Sequence, residues 1–253
     1  MRWEKLSLKQ QIRAILVLVW FDGVIPIRRS PFNVINFIVS PLTILFFIYI
    51  FAGASKVVFA LGGGLIAVIV GSCIVLETEA AFIRLVVRLQ DMFVSSPLSP
   101  VSYVVGLSIA QLFNGAAGIV LFSILLAFDT HLSIVSALEI AFAAILTWGL
   151  VSALGFMIST FARDIRDLWV YSPLLNVLLS FLPPVFYPIT MIPQSLRFIA
   201  YVAPTTYPAG IIQAATGLVK VTHYEMFVYF AGGITYTLIL VALAARLSKW
   251  RQD

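Results

Sequence analysis

Six stretches of this 253-residue chain are apolar for long enough to cross a bilayer, and charge is nearly absent from their centres. They fall near 32–52, 58–77, 102–128, 133–161, 168–188 and 224–246. A helix needs about 20 apolar residues to cover a hydrocarbon core of about 30 Å. The third and fourth runs exceed that length, which tilt or cytoplasmic extension explains. Hydrophobic residues make up 61% of the chain and charged residues 11%, whereas a soluble domain carries about 25% charged. Too few charges remain to cover a water-facing surface. The expected fold is an all-α integral membrane protein with six transmembrane helices.

The net charge of +5 follows from the placement of Lys and Arg. With the N-terminus inside, thirteen of them are cytoplasmic: Arg2, Lys5, Lys9, Arg13, Arg28, Arg29, Arg84, Arg88, Arg163, Arg166, Arg246, Lys249 and Arg251. Three are outside: Lys56, Arg197 and Lys220. This bias places both termini in the cytoplasm. It accounts for the basic balance through topology, and no nucleic-acid partner is expected.

Ahead of the first run lies WEKLSLKQQIRAILVLVW, Trp3 to Trp20. At about 100° per residue, Leu8, Ile12, Ile15 and Val19 share one side, with Lys5, Lys9 and Arg13 in a basic stripe beside it. This suits an amphipathic helix over 1–25 in the inner headgroup region, its cations near membrane lipid. An ordinary topology-setting N-terminus is the alternative.

Two cytoplasmic connections carry the other notable patterns. In ETEAAFIRLVVRLQDMFVSSPLSP, Glu77 to Pro100, Arg84 and Arg88 stand four apart, on one helical face. Next, Leu89, Gln90, Asp91, Met92 and Phe93 mix exposed apolar side chains with an acid, and SSPLSP ends the segment. Such a knob fits a soluble partner's groove or, equally, a membrane surface. In FARDIRD, Arg163 and Asp167 form an i,i+4 pair with Asp164 and Arg166 nearby. That cluster is either a solvated helix end or a second partner contact.

Small residues recur within the spans: Gly62, Gly63 and Gly64; Ala67 with Gly71; Gly115 with Gly118; Gly149 with Ala153; Gly155 with Ser159. They let helix backbones approach closely, within one subunit or at a dimer seam.

Catalytic chemistry has no visible residues. No G-x-x-x-x-G-K-[ST] loop is present, so the chain does not bind ATP through a Walker A loop. His131 and His223 lie far apart without ligand spacing, and no metal site is expected. H-E-x-x-H and G-x-S-x-G are missing. The chain is read as a non-enzyme with no cofactor of its own.

The densest punctuation is FLPPVFYPITMIP, Phe181 to Pro193, with four prolines and three aromatics in thirteen residues. Pro183 and Pro184 are expected to break the fifth span near its outer end, and Pro188 and Pro193 stop it resuming. Broken backbone facing lipid is too costly, so the segment over 183–217 is expected to turn back as a re-entrant outer element packed against protein. Phe181, Phe186, Tyr187 and Tyr201 would cap it at the interface. A plain external loop is the alternative.

Taken together, the amphipathic N-terminal helix, six spans with both ends inside and the R-x-x-x-R…S-P-L-S-P connection resemble the permease subunit of type-2 ATP-binding-cassette (ABC) exporters. FLPPVFYPITMIP, then QSLRFIAYVAP ending at Pro204 and IIQAATG ending at Gly217, resemble that family's aromatic-Pro-x-x-x-(I/L)-P motif followed by a helix, a proline and a glycine. The family often places an Arg shortly before the closing glycine. Here Gln213 to Gly217 reads QAATG, so that residue's role is not carried over.

The resemblance implies one permease domain over 1–253, paired with a second permease subunit as homodimer or heterodimer. Two soluble ABC ATPase subunits, holding ATP and Mg, would dock below it. Region 78–100 would be the coupling region, with Leu89 to Phe93 as its coupling helix. Closure of the ATPases would rock the permeases and expel substrate outward across the plasma membrane. Sparse charge along the spans favours an amphiphilic drug-like or lipid cargo over a small ion. A lipid-linked polysaccharide is the alternative cargo. A non-transporting membrane scaffold that recruits a cytoplasmic partner is the alternative of another class.

Overall fold

The computed structural model describes residues 7–53, 56–88, 98–130 and 132–247, and every regular element among them is helical. Helix α1 (Leu8–Leu18) runs through a π-helical turn (Val19–Val24) into α2 (Ile25–Arg29). A proline turn then starts α3 (Phe32–Ala52), which is followed by α4 (Val57–Ile74) and α5 (Leu76–Leu85). The two longest helices come next, α6 (Pro100–Thr130) and α7 (Ile134–Phe161). After them lie α8 (Ile165–Ser180), two short 3-10 turns, α9 (Arg197–Val202), α10 (Thr206–Ala215) and α11 (His223–Leu247).

Helix α4 is the centre of the bundle. It packs against α3, α6, α7, α8 and α10, and nearly every side chain from Phe59 to Ile74 is buried. The glycine triplet explains how so many neighbours reach one helix. A Cβ at Gly62 would meet Ile212 of α10, one at Gly63 the ring of Phe186, and one at Gly64 the ring of Phe122 of α6. Three consecutive residues point in three directions, so three elements close on the same turn. Further along, Gly115 and Gly118 of α6 lie against Ser72 and Val68 of α4. These small residues therefore serve packing inside the subunit.

Six helical stretches are long and apolar enough to cross a membrane: Leu8–Arg29, Ile35–Ala52, Val57–Leu85, Pro100–Thr130, Ile134–Phe161 and His223–Leu247. The number matches the sequence reading, but the membership differs. The N-terminal stretch qualifies by length, and the expected fifth span, 168–188, does not. Helix α8 has 16 residues and stops at Ser180, two residues before the first proline pair. Pro173 lies inside it and removes one backbone donor.

Candidate functional site

At the end of α5 the helical face expected to carry both Arg84 and Arg88 is not continued. The helix stops at Leu85, and the N–H groups of Val86 and Val87 both return to the Phe82 carbonyl at 3.0 and 3.1 Å. Arg88 then adopts a left-handed backbone with φ 57°, unusual for a residue with a Cβ. It is exposed, whereas Arg84 turns inward. The Arg84 guanidinium donates to the Thr160 carbonyl at 2.8 Å and to the Ser159 and Ala162 carbonyls at 2.6 and 2.7 Å. The last carbonyls of a helix lack intrahelical partners, and here one cation serves the end of α7. Leu89, Gln90, Asp91, Met92 and Phe93 lie outside the described residues.

The second charged connection begins where Arg84 holds on. Arg163 sits in the short break between α7 and α8, so the i,i+4 geometry assumed for Arg163 and Asp167 does not arise. Asp164 instead caps α8, its Oδ1 accepting from the Arg166 N–H at 2.9 Å. All four charged side chains of this turn are exposed. Arg84 thus joins the arm leading to 89–93 with the turn at 163–167.

A polar cluster that sequence reading passed over lies deeper. The π-helical turn brings Gly23 against Ala110 of α6, and Asp22 accepts from Gln111 Nε2 at 3.2 Å. Asn114 donates to Gln111 Oε1 at 3.0 Å, and the carboxyl of Glu79 on α5 touches that of Asp22. On the other face of α5, Ser172 of α8 donates to the buried Glu77, and Thr78 Oγ1 lies 3.1 Å from Ser172 Oγ. Ser172, Asn176 and Ser180 form a ladder at i, i+4 and i+8 on α8, Ser180 donating to Asn176 at 3.1 Å. The signal for both groups was the rarity of polar residues in such runs: each deserves a partner within the bundle.

At the opposite end, the proline-rich stretch folds inward. Pro183, Pro184, Val185 and Phe186 are buried, and Phe186 stacks on Phe181 at 5.5 Å. Tyr187 donates to the Leu182 carbonyl at 2.9 Å, and Pro188 and Pro193 each precede a 3-10 turn. Tyr201 remains at the surface, its carbonyl accepting from Tyr207 at 2.9 Å. Gln213 of α10 fastens the whole return, its amide donating to the Pro184 carbonyl at 2.8 Å and to that of Tyr187 at 3.2 Å. Thr205 donates to the Leu179 carbonyl at 2.6 Å and so occupies the end of α8. Helix α10 is buried from Thr206 to Gln213 against α4, α7 and α11. Residues 183–186 and 205–213 are therefore packed against protein, whereas most of 190–202 is exposed.

Among curated proteins no relative matches the chain. The sequence model of the ABC-2 type transporter family matches residues 13–216, a stretch that runs from α1 past the end of α10. That match covers most of the chain and takes in both charged connections and the proline-rich return. The chain belongs to the ABC-2 type transporter family, the membrane-spanning permease part of ABC transporters.

Proposed function

We propose that this permease exports an amphiphilic, drug-like or lipid substrate across the plasma membrane, as one of two permease subunits driven by two ATPase subunits. Family membership already makes it a multi-pass membrane protein that lacks the ATP site and works with an ABC ATPase partner. The observation that carries the cargo class is the make-up of α8 and its continuation. Residues 168–196 contain no charged side chain. The outward face of α8 exposes Trp169, Tyr171, Leu174, Val177 and Leu178, and its inward face carries the hydroxyls and amide of the Ser172–Asn176–Ser180 ladder. An uncharged, largely apolar helix surface of this kind suits an apolar body better than a small ion, and the one carboxyl beside it, Glu77, is already engaged by Ser172.

We place α1 at the cytoplasmic end of the bundle, running alongside the start of α6 rather than flat in the headgroup plane. Gln11 lies at Ser99, Leu18 at Gly106 and Gly23 at Ala110, so α1 climbs beside the first third of α6. Ile38 of α3 meets Gly118, well further along. Helix α6 has 31 residues, and about 28 Å of it lies beyond Gln111, enough for the hydrocarbon core alone. The part beside α1 is then surplus on the cytoplasmic side. There α1 keeps Leu8, Ile12 and Leu16 exposed for lipid, with Lys9 and Arg13 among the headgroups.

Two measurements test this reading. Cysteines placed at 56 and 220 are expected to label from outside intact cells and one at 91 to remain unlabelled. The native thiol, Cys73, is buried and gives little background. Labelling at 91 would reverse the orientation. In proteoliposomes containing the permease and its ATPase, a fluorescent amphiphile is expected to move away from the ATPase side only with ATP. Movement of a lipid-linked sugar chain with no effect on amphiphiles would replace the proposed cargo.

A further inference from the structure

We infer that Arg84 is a positioning residue of the transport cycle, clamping the arm that receives the ATPase stroke to the junction of α7 and α8. The inference rests on the reading that region 78–100 receives the ATPase. The clamp is a contact inside the permease, so it differs from the ATPase-facing role that the sequence assigned to this arginine.

Its geometry is specific. Arg84 stands in the last turn of α5, immediately before the chain leaves for 89–93. Its two terminal nitrogens reach the carbonyls of Ser159, Thr160 and Ala162 around the end of α7, with all three distances at or below 2.8 Å. A planar fork with fixed donors can do this, whereas the single ammonium of a lysine lacks that shape. The carbonyls carry the negative end of the α7 dipole, so the contact is charge-assisted. The site is half-buried, which limits competition from water.

Among the described residues, no other side-chain hydrogen bond holds the last turn of α5. Its own helix stops one residue later, and Val86 and Arg88 are exposed. Without the clamp, a push on the arm would bend the chain at Leu85. With it, the push arrives at Ala162, the residue from which α8 is launched through its Asp164 cap. Glu77 and Thr78 at the start of α5 meet Ser172 of α8, so the arm holds α8 at two levels once Arg84 fixes its lower end. Coupling is carried here by a rigid element with defined contacts at both ends.

The test uses the complete permease–ATPase complex in proteoliposomes. Arg84→Ala is expected to assemble with the ATPase and keep basal ATP turnover, while substrate moved per ATP falls about tenfold. Phe93→Ala is the separate control for the arm itself and is expected to weaken ATPase association, which Arg84→Ala leaves intact. If Phe93→Ala binds and transports normally, the coupling region is misplaced and the inference falls with it; if Phe93→Ala is impaired, the Arg84 variants test the clamp itself. Spin labels at Val86→Cys and Phe161→Cys, both exposed positions, report the clamp directly in a Cys73→Ala background. With Arg84 present, one narrow distance is expected with and without trapped ATP. In Arg84→Ala the distance should broaden or shift on ATP binding. Arg84→Lys keeps the charge and stem, and it should assemble yet transport less per ATP than the parent. Parental transport per ATP in either variant overturns the inference. So does separation of the labels in the parent on ATP binding, or loss of assembly in both variants, which would make Arg84 a plain folding contact.

Discussion

Complexes carrying Pro183→Ala and Pro184→Ala together are expected to assemble and hydrolyse ATP but to lose export. Each exchange favours helix by up to about 3 kcal/mol, enough to let α8 run on from Ser180 through Leu182. Both prolines are buried, and the Pro184 carbonyl is held by Gln213 at 2.8 Å. A continuing helix would use that carbonyl for its own ladder and strip Gln213 of a partner in a buried site, a loss of about 1–3 kcal/mol. Phe186 would swing away from Gly63 at the same time. The end of the subunit that carries Arg84, at the other end of the 16-residue α8, has no part in these contacts, so ATP turnover should persist. Export at the parental rate by the double variant would show that the break after α8 is incidental.

Gly64→Leu is expected to abolish the folded subunit rather than tune it. The space a Cβ needs is occupied by the ring of Phe122, itself fully buried. Adding even a methylene to a filled core costs about 1–3 kcal/mol, and a leucine here adds several with the helix hemmed in on every side. Gly71→Ala is the matched contrast. Its nearest neighbours, the amide atoms of Asn176, would sit at 3.7 and 3.9 Å, an ordinary contact. Alanine also favours helix over glycine by about 1 kcal/mol, so this variant should match or exceed the parent in thermal stability. A Gly64→Leu protein that melts with the parent in detergent would contradict the packing described for α4.

The helical class, the number of long apolar helices and the interruption after α8 were legible because run length and proline act locally. The partner of the broken end was not. Pro183 has no N–H to give the Leu179 carbonyl, so α8 ends at Ser180, and that carbonyl accepts instead from Thr205, twenty-six positions away. Arg84 illustrates a second limit. Charge reading looks for an acidic side chain four residues away, and the partners here are backbone oxygens 75 to 78 positions along the chain. A carbonyl has no letter in a sequence. Asp22 and Glu79 defeat the same logic from the other side, since two acids are placed together where pairing rules predict separation. For α1 the amphipathic pattern was readable, but the face it gives to α6 was not. Leu18 and Val19 are its buried apolar residues, and Leu8 and Ile12 are left for lipid.

The enclosure of α4 has a mechanical consequence. A helix gripped by five neighbours cannot slide or rotate without displacing all of them, so α4 behaves as a hub and the others as spokes. Motion in this subunit has to be whole-body tilting about that hub, with bending confined to its two ends. Those ends are built for it: Gly53, with φ 82°, releases the chain before α4 begins, and Val75 offsets α5 from α4 after it finishes. A tilt of α4 by a few degrees would carry its ends in opposite directions. An inward movement of α5 would thus be delivered as an outward movement near Gly62 and Gly63, where the return of the chain after α8 is seated.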